Sequence, residues 1–256
     1  MTRFVLKLEY DGRGFVGWQR QSNGLSVQQV LEQAAAHLCR GVVPPSVAAG
    51  RTDSGVHAAG QVVHIDLRDG LTTRAVRDAL NYYLQPHSVV VTAVGIVDDP
   101  GWSARFSAIG REYRYEILNR SVRPALAAGF VWHVKEPLDA ATMQRASMAL
   151  VGRHDFTSFR AVACQAPSPV RTIDRISVNR SGERIVIEVS ARSFLHHQVR
   201  NIVGSLKLVG VGYWPETRIA EVLAARDRSA AGPTAPAGGL TLIEVRYPQD
   251  PFAGQN

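Results

Sequence analysis

The chain has 256 residues, 45% of them hydrophobic, and 29 basic against 22 acidic side chains give a formal net charge of +7. That apolar fraction is ordinary for a folded protein and too high for a disordered one; no apolar run approaches the roughly 18 residues of a membrane span, and Lys7, Glu9 and Asp11 interrupt any signal-peptide core. Cys39 and Cys164 stand far apart with no CxxC pair, which argues against a disulfide framework and a structural zinc site. The expected compartment is the cytoplasm. Only Lys7, Lys135 and Lys207 are lysines, leaving 26 arginines. A basic chain points to a polyanionic partner, and arginine's planar fork grips phosphates and stacks on bases. A GC-rich genome would produce the same excess, so charge alone leaves the partner open.

Residues 3–10 alternate apolar and polar, with Phe4, Leu6, Leu8 and Tyr10 on one face, and are predicted as a strand. Ser26 and Gln29 have capping-box spacing. Val27, Val30, Leu31, Ala34, Ala35 and Leu38 follow as one helical stripe. A weak strand is predicted near 46–49 and a better one at 61–67. Residues 73–84 read as a helix with Val76, Ala79, Leu80 and Tyr83 inward, stopped before Pro86. Residues 89–97 are β-branched and read as a buried strand. The order β-α-β-β-α-β is the ferredoxin-like pattern. Asp98, Asp99, Pro100 and Gly101 then form a break.

The second half repeats the theme. Strands are predicted at 111–118 and 130–135, and Asp139 caps a helix that runs through Leu150. Residues 171–179 and 184–190 read as a hairpin around Ser181-Gly182. A long helix is predicted at 194–211 and a shorter one at 216–225. Residues 230–239 read as loop, 241–247 as a closing strand, and 248–256 as a loose tail. The expected fold is α+β: two ferredoxin-like (RRM-like) halves, residues 1–105 and 106–256, with mostly antiparallel sheets side by side and a catalytic cleft between them.

Gly12-x-Gly14-x-x-Gly17 follows a strand and superficially matches a dinucleotide fingerprint. That fingerprint needs a helix opening at the glycines and an acidic residue about 20 positions on. Here the glycines run into Trp18-Gln19-Arg20-Gln21, and no acidic residue lies between Glu32 and Asp53. A turn is the better reading, which weakens an oxidoreductase. The densest functional signal is Gly50-Arg51-Thr52-Asp53-Ser54-Gly55-Val56-His57. Glycines at its ends permit close backbone approach. An ionised Asp in such a loop can be a nucleophile. An Asx-turn leading into a strand fits the spacing equally well. A non-catalytic pair of RRMs is disfavoured, because no K/R-G-F/Y-G-F-V pattern is present.

At these residues the chain resembles the tRNA pseudouridine synthase A (TruA-type) family. GRTDSGVHA is similar to its signature loop. Tyr10-Asp11-Gly12 with Gly17-Trp18-Gln19-Arg20-Gln21 resembles its opening segment. Ala104-Arg105-Phe106-Ser107-Ala108 and Arg111-Glu112-Tyr113-Arg114-Tyr115 resemble its second motif. Asp155-Phe156-Thr157-Ser158-Phe159-Arg160, Cys164-Gln165 and the run from Phe194 through Gly204 match further blocks, and Gly239-Leu240 with Val245-Arg246-Tyr247-Pro248 resembles the closing strand. The matches are collinear over about residues 8–248. Ser54 stands where many members have Ala, and Gln198 where many have Met.

The resemblance implies isomerisation of uridine to pseudouridine at positions 38, 39 and 40 of the tRNA anticodon arm. The N1–C1′ bond breaks, the base turns and C5 bonds to C1′, with no metal, nucleotide or redox cofactor. It implies Asp53 as nucleophile, kept ionised by a positive partner, for which Arg200 is the candidate. A solvated position on its helix is the plain alternative for Arg200. Tyr113 takes the motif-tyrosine position, to stack on the turned-out uracil or help remove the C5 proton. Its alternation with Tyr115 also fits a core residue. Arg51 is implicated in holding RNA with the target base out. His57 fits a loop brace or an RNA contact. Arg105, Phe106, Arg160, Cys164, Gln165 and His197 are expected to contact tRNA. His196-His197 on a helix would fan about 100° apart, so no shared metal ion is expected. About half of the stretch Arg105, Arg111, Arg114, Arg120, Arg123 is expected to be an ordinary solvated strand face. A homodimer with no membrane partner completes the implied picture.

Overall fold

The computed structural model describes residues 1–253. The chain folds as two compact units: Met1–Ile109 with the stretch from Leu242 onward, and Gly110–Thr241.

The first unit runs β1 (Thr2–Tyr10), α1 (Val27–Ala36), β2 (Ser46–Ala48), β3 (His57–Leu67), α2 (Thr73–Leu84) and β4 (Val89–Ile96). Its strands are ordered β4-β1-β3, with β2 also on β3, and all these pairs are antiparallel. This is the expected ferredoxin-like order. Phe4, Val5, Leu6 and Leu8 of the central β1 are fully buried. Burying each such side chain stabilises the fold by about 1.5–3 kcal/mol. The helices start where their caps stand. Ser26 Oγ accepts from Gln29 N at 3.2 Å, and Thr72 Oγ1 from Ala75 N at 3.1 Å. Below them α1 buries Val27, Val30, Leu31, Ala34 and Ala35, and α2 buries Val76, Leu80 and Leu84.

The second unit runs β5 (Gly110–Asn119), β6 (Trp132–Val134), α3 (Ala140–Ser147), β7 (Gly152–Asp155), β8 (Val170–Ser181), β9 (Arg184–Ala191), α4 (Gln198–Gly210) and α5 (Arg218–Ala225). The order is β5-β9-β8-β7, antiparallel throughout, with β6 parallel to β5. On β5, Arg111, Tyr113, Tyr115 and Ile117 are buried while Glu112, Arg114 and Glu116 are half-buried. The latter three join cross-strand ion pairs: Arg114–Glu188 at 2.8 Å, Arg175–Glu112 at 3.1 Å and Arg184–Glu116 at 2.5 Å. Partly exposed pairs of this kind are worth about 0–1 kcal/mol each. Arg114 is thus the expected strand-face residue. Arg111 is instead in the core, where its guanidinium donates to Arg192 O at 2.6 Å.

The last strand, β10 (Leu240–Arg246), lies beside β3, so from Leu242 on the chain counts with the first unit. The expected boundary at 105/106 falls inside that unit. Residues 103–109 stay with it because Ala104 N donates to His64 Nδ1 (3.0 Å) and Ile109 N to Arg246 O (2.8 Å).

Other expectations shift. The helix predicted from Phe194 starts at Gln198, because His197 takes a left-handed φ of +62° and ends the preceding turn. The strand β7 was not predicted. The expected loose tail packs its Pro251 carbonyl over Gly95 of β4, where a β-carbon would stand 2.1 Å from the oxygen. Gly254, Gln255 and Asn256, the rest of that tail, lie outside the described residues.

Candidate active site

Asp53 is half-buried on the loop between β2 and β3. Five hydrogen bonds hold the loop. Gln61 Nε2 donates to Gly50 O at 2.7 Å, and Tyr10 Oη shares a hydrogen with Thr52 Oγ1 at 2.8 Å. Trp18 N donates to Thr52 O at 3.0 Å, and Val56 N closes a turn on Asp53 O at 3.1 Å. Gly12 N donates to His57 Nδ1 at 3.1 Å. Burial pushes the Tyr10 phenol up to about 12, so its hydroxyl stays protonated across the working pH range.

The opening segment makes room for this loop. A β-carbon on Gly12 would lie 2.1 Å from Val56 O. Gly17, at φ +110°, has no room for one either: it would lie 2.8 Å from Thr52 O. The glycines that mimic a dinucleotide fingerprint are thus the seat of the Asp53 loop. Ser54, the departure from the usual Ala, donates Oγ to Phe15 O at 3.2 Å and adds a further tether.

Arg51 is exposed beside Asp53, in reach of a ligand. His57 is 3% exposed. Its Nδ1, which accepts from Gly12 N, also lies 3.2 Å from an Asp11 carboxylate oxygen. Its burial and these contacts tie His57 to the loop and its seat. The hydrogen-bonded Arg13 guanidinium holds the Asp11 carboxyl below the usual carboxylate range. Arg105 and Phe106 sit on an exposed turn of the same unit, with the guanidinium 5.3 Å from the ring centroid. The turn's root is fixed, since Tyr247 Oη donates to Ala104 O at 2.7 Å.

In the second unit three motif blocks meet. Tyr113 is buried on β5, its ring edge-on to Phe194 at 5.2 Å. Tyr115, two positions on, commits its hydroxyl to Pro236 O at 2.8 Å, and burial raises its phenol's pKa. Ala161 N donates to His196 O at 2.9 Å, which brings the segment carrying Arg160, Cys164 and Gln165 against the histidine pair. Arg160 and Cys164 are half-buried and Gln165 is exposed. His196 and His197 precede α4, with ring centroids 4.0 Å apart. The 100° fan expected of helical neighbours therefore does not apply to them.

Arg200 is half-buried, not a freely solvated helix position. Its Nε donates to Ala235 O at 2.8 Å and its carbonyl accepts from Ala235 N at 3.1 Å. Asn201, which has no role in the sequence reading, organises the same region. Its amide donates to Phe159 O at 2.8 Å and accepts from Thr234 Oγ1 (2.6 Å) and Arg228 (3.1 Å). Gln198, the departure from Met, accepts from Leu195 N at 2.8 Å and so supports the turn into α4. Tyr10, Thr52 and Gln61 were also missed. The signal was Tyr10 on a core-facing position, since a buried phenol needs a polar partner.

The family profile described as tRNA pseudouridine synthase matches residues 146–248. A "tRNA pseudouridine synthase A" of Acidiphilium cryptum is 67% identical over 252 residues, covering 98% of this chain and 99% of the relative. Relatives of the same name in Gluconobacter oxydans and Rhodospirillum centenum are 54% and 56% identical, over 98% and 96% of this chain and 92% and 100% of theirs. The chain belongs to the tRNA pseudouridine synthase A family and, with it, to the isomerases.

Proposed function

We propose that the protein isomerises uridine to pseudouridine at positions 38, 39 and 40 of the tRNA anticodon stem-loop, with Asp53 as nucleophile. The observation that carries the reading is the Asp53 loop. Its sequence is the family's signature, and its backbone is fixed on every side while Arg51 and Ser54 stay exposed. A rigid loop presents a nucleophile at low ordering cost.

Arg200 is the proposed cation that keeps Asp53 ionised and oriented, and Tyr113 the ring that stacks on the turned-out uracil. The commitment of Tyr115's hydroxyl to Pro236 supports Tyr113 as the acting tyrosine. Arg51, Arg105, Phe106, Arg160, Cys164, Gln165 and His197 are the proposed tRNA contacts. His57 acts through the loop it braces. Among the described residues no helix is long and apolar enough to cross a membrane. The proposed working form is a cytoplasmic homodimer. Doubling a +7 chain would strengthen phosphate attraction.

The test is tritium release from 5-tritiated uridine in tRNA. Asp53→Asn and Asp53→Ala abolish release and leave tRNA binding within a few-fold of the parent. Normal release by Asp53→Ala would sink the nucleophile assignment. Pseudouridine mapping in anticodon arms after incubation with the purified protein tests the positions.

A further inference from the structure

We infer that Tyr10 and Gln61 are positioning residues for the Asp53 nucleophile, acting through Thr52 and Gly50. The inference rests on the proposed role of Asp53. Both side chains rise from the strands beneath the loop, Tyr10 at the end of β1 and Gln61 in β3. Both are buried, at 3% and 0% exposure. A phenol and an amide are costly to bury unless their polar ends are bonded.

The Tyr10 hydroxyl and the Gln61 amide nitrogen go to the residues that flank Arg51 and Asp53. Tyr10 Oη meets Thr52 Oγ1 at 2.8 Å. Gln61 Nε2 meets Gly50 O at 2.7 Å and Tyr10 Oη at 3.4 Å, so the two supports are joined. Thr52 is itself buried at 7%, and its carbonyl is held by Trp18 N at 3.0 Å. Thr52 is thereby held from two sides, at hydroxyl and at carbonyl. The peptide that leads into Asp53 cannot rotate without breaking one of them. The direction of the Asp53 side chain follows from that peptide. Burial keeps the Tyr10 hydroxyl protonated, so the support persists at any pH where RNA is handled.

Such a support has a kinetic signature. A carboxylate misplaced by about 1 Å loses up to about 100-fold in rate. Substrate contacts elsewhere are untouched, so the loss falls on kcat and not on KM. The experiment compares Thr52→Val, Thr52→Ser, Tyr10→Phe and the double variant Tyr10→Phe/Thr52→Val in the full-length protein. Tritium release gives kcat and KM; filter binding gives tRNA affinity; thermal melts give stability.

Thr52→Val and Tyr10→Phe are expected to lower kcat about tenfold or more, with KM and tRNA affinity within twofold. Thr52→Ser restores the hydroxyl and most of kcat. The double variant is no worse than Tyr10→Phe alone, because Tyr10→Phe already removes the bond to Thr52 along with the one from Gln61. The inference is overturned if both single variants keep kcat within twofold. It is also overturned if the loss lies in KM, or if kcat falls only in step with melting temperature across the series. These results are separable from the nucleophile reading. Asp53→Ala without product beside Tyr10→Phe with full kcat removes the positioning role alone. Asp53→Ala with product removes both.

Discussion

Gly17→Ala tests whether the opening segment serves as the seat of the Asp53 loop. The new β-carbon would stand 2.8 Å from Thr52 O, 3.1 Å from Ser54 N and 3.2 Å from the Asp53 carbonyl carbon, at φ +110°. Alanine is strained in that backbone region by about 1–3 kcal/mol. Relieving the contact moves Thr52 O away and breaks its bond from Trp18 N, a loss of about 1 kcal/mol. The total is about 2–4 kcal/mol, or a fall in melting temperature of about 4–16 °C for a chain of this size. The loop then moves by some tenths of an ångström at the residues on either side of Asp53, and kcat falls about tenfold to 100-fold. Gly14→Ala is the control. Nothing lies within 4 Å of a β-carbon there and its φ is not positive, so activity and melting temperature stay close to the parent's. Tritium release and thermal melts on the two variants decide the matter. Parent-like kcat in Gly17→Ala, or an equal loss in Gly14→Ala, would refute the reasoning.

Three further outcomes are expected. Tyr115→Phe loses the bond to Pro236 and about 1 kcal/mol but keeps kcat, whereas Tyr113→Leu removes the stacking ring and loses kcat; parent-like tritium release by Tyr113→Leu would undo the distinction. Arg200→Lys removes the Nε bond to Ala235 and the forked geometry, so turnover falls more steeply than melting temperature does; an unchanged rate would make Arg200 a purely structural group. His64 is buried and accepts from Ala104 N, and burial holds its pKa below the ordinary 6.5. As pH falls through 6.5 the unfolded chain gains a proton that the folded chain takes up only at lower pH, so stability falls from a pH above 6.5 to one below it. In melts at the two pH values His64→Asn, which keeps an acceptor and cannot titrate, shows a smaller drop; an equal drop would clear His64 of the effect.

Local rules carried much of the fold. Ser26, Thr72 and Asp139 cap the helices they precede, because an N-cap depends only on the next three residues. Helix α2 lies at the predicted residues 73–84, because apolar spacing on a helix is also local. The α4 start was not legible. Phe194 to His197 carry helical composition, and only packing places His197 in the left-handed region. Strand β7 has no alternation of its own and exists because β8 pairs with it. Arg111 is another case: alternation puts it on the inner face, and burial is tolerable because Arg192 O accepts its charge-assisted bond.

The candidate site divides in the same way. The residue types were readable from the motif, since Asp53, Arg51 and His57 adjoin in sequence. Their roles depended on neighbours 40 or more positions away. His57 is tied to the loop's seat because Gly12 stands 45 residues back, and Thr52 is fixed because Tyr10 stands 42 back. By itself the sequence determined the family and the α+β class, and it marked the loop proposed to bear the chemistry. Tertiary structure alone decided what holds that loop still, because hydrogen bonds between distant strands leave no periodic trace in the chain.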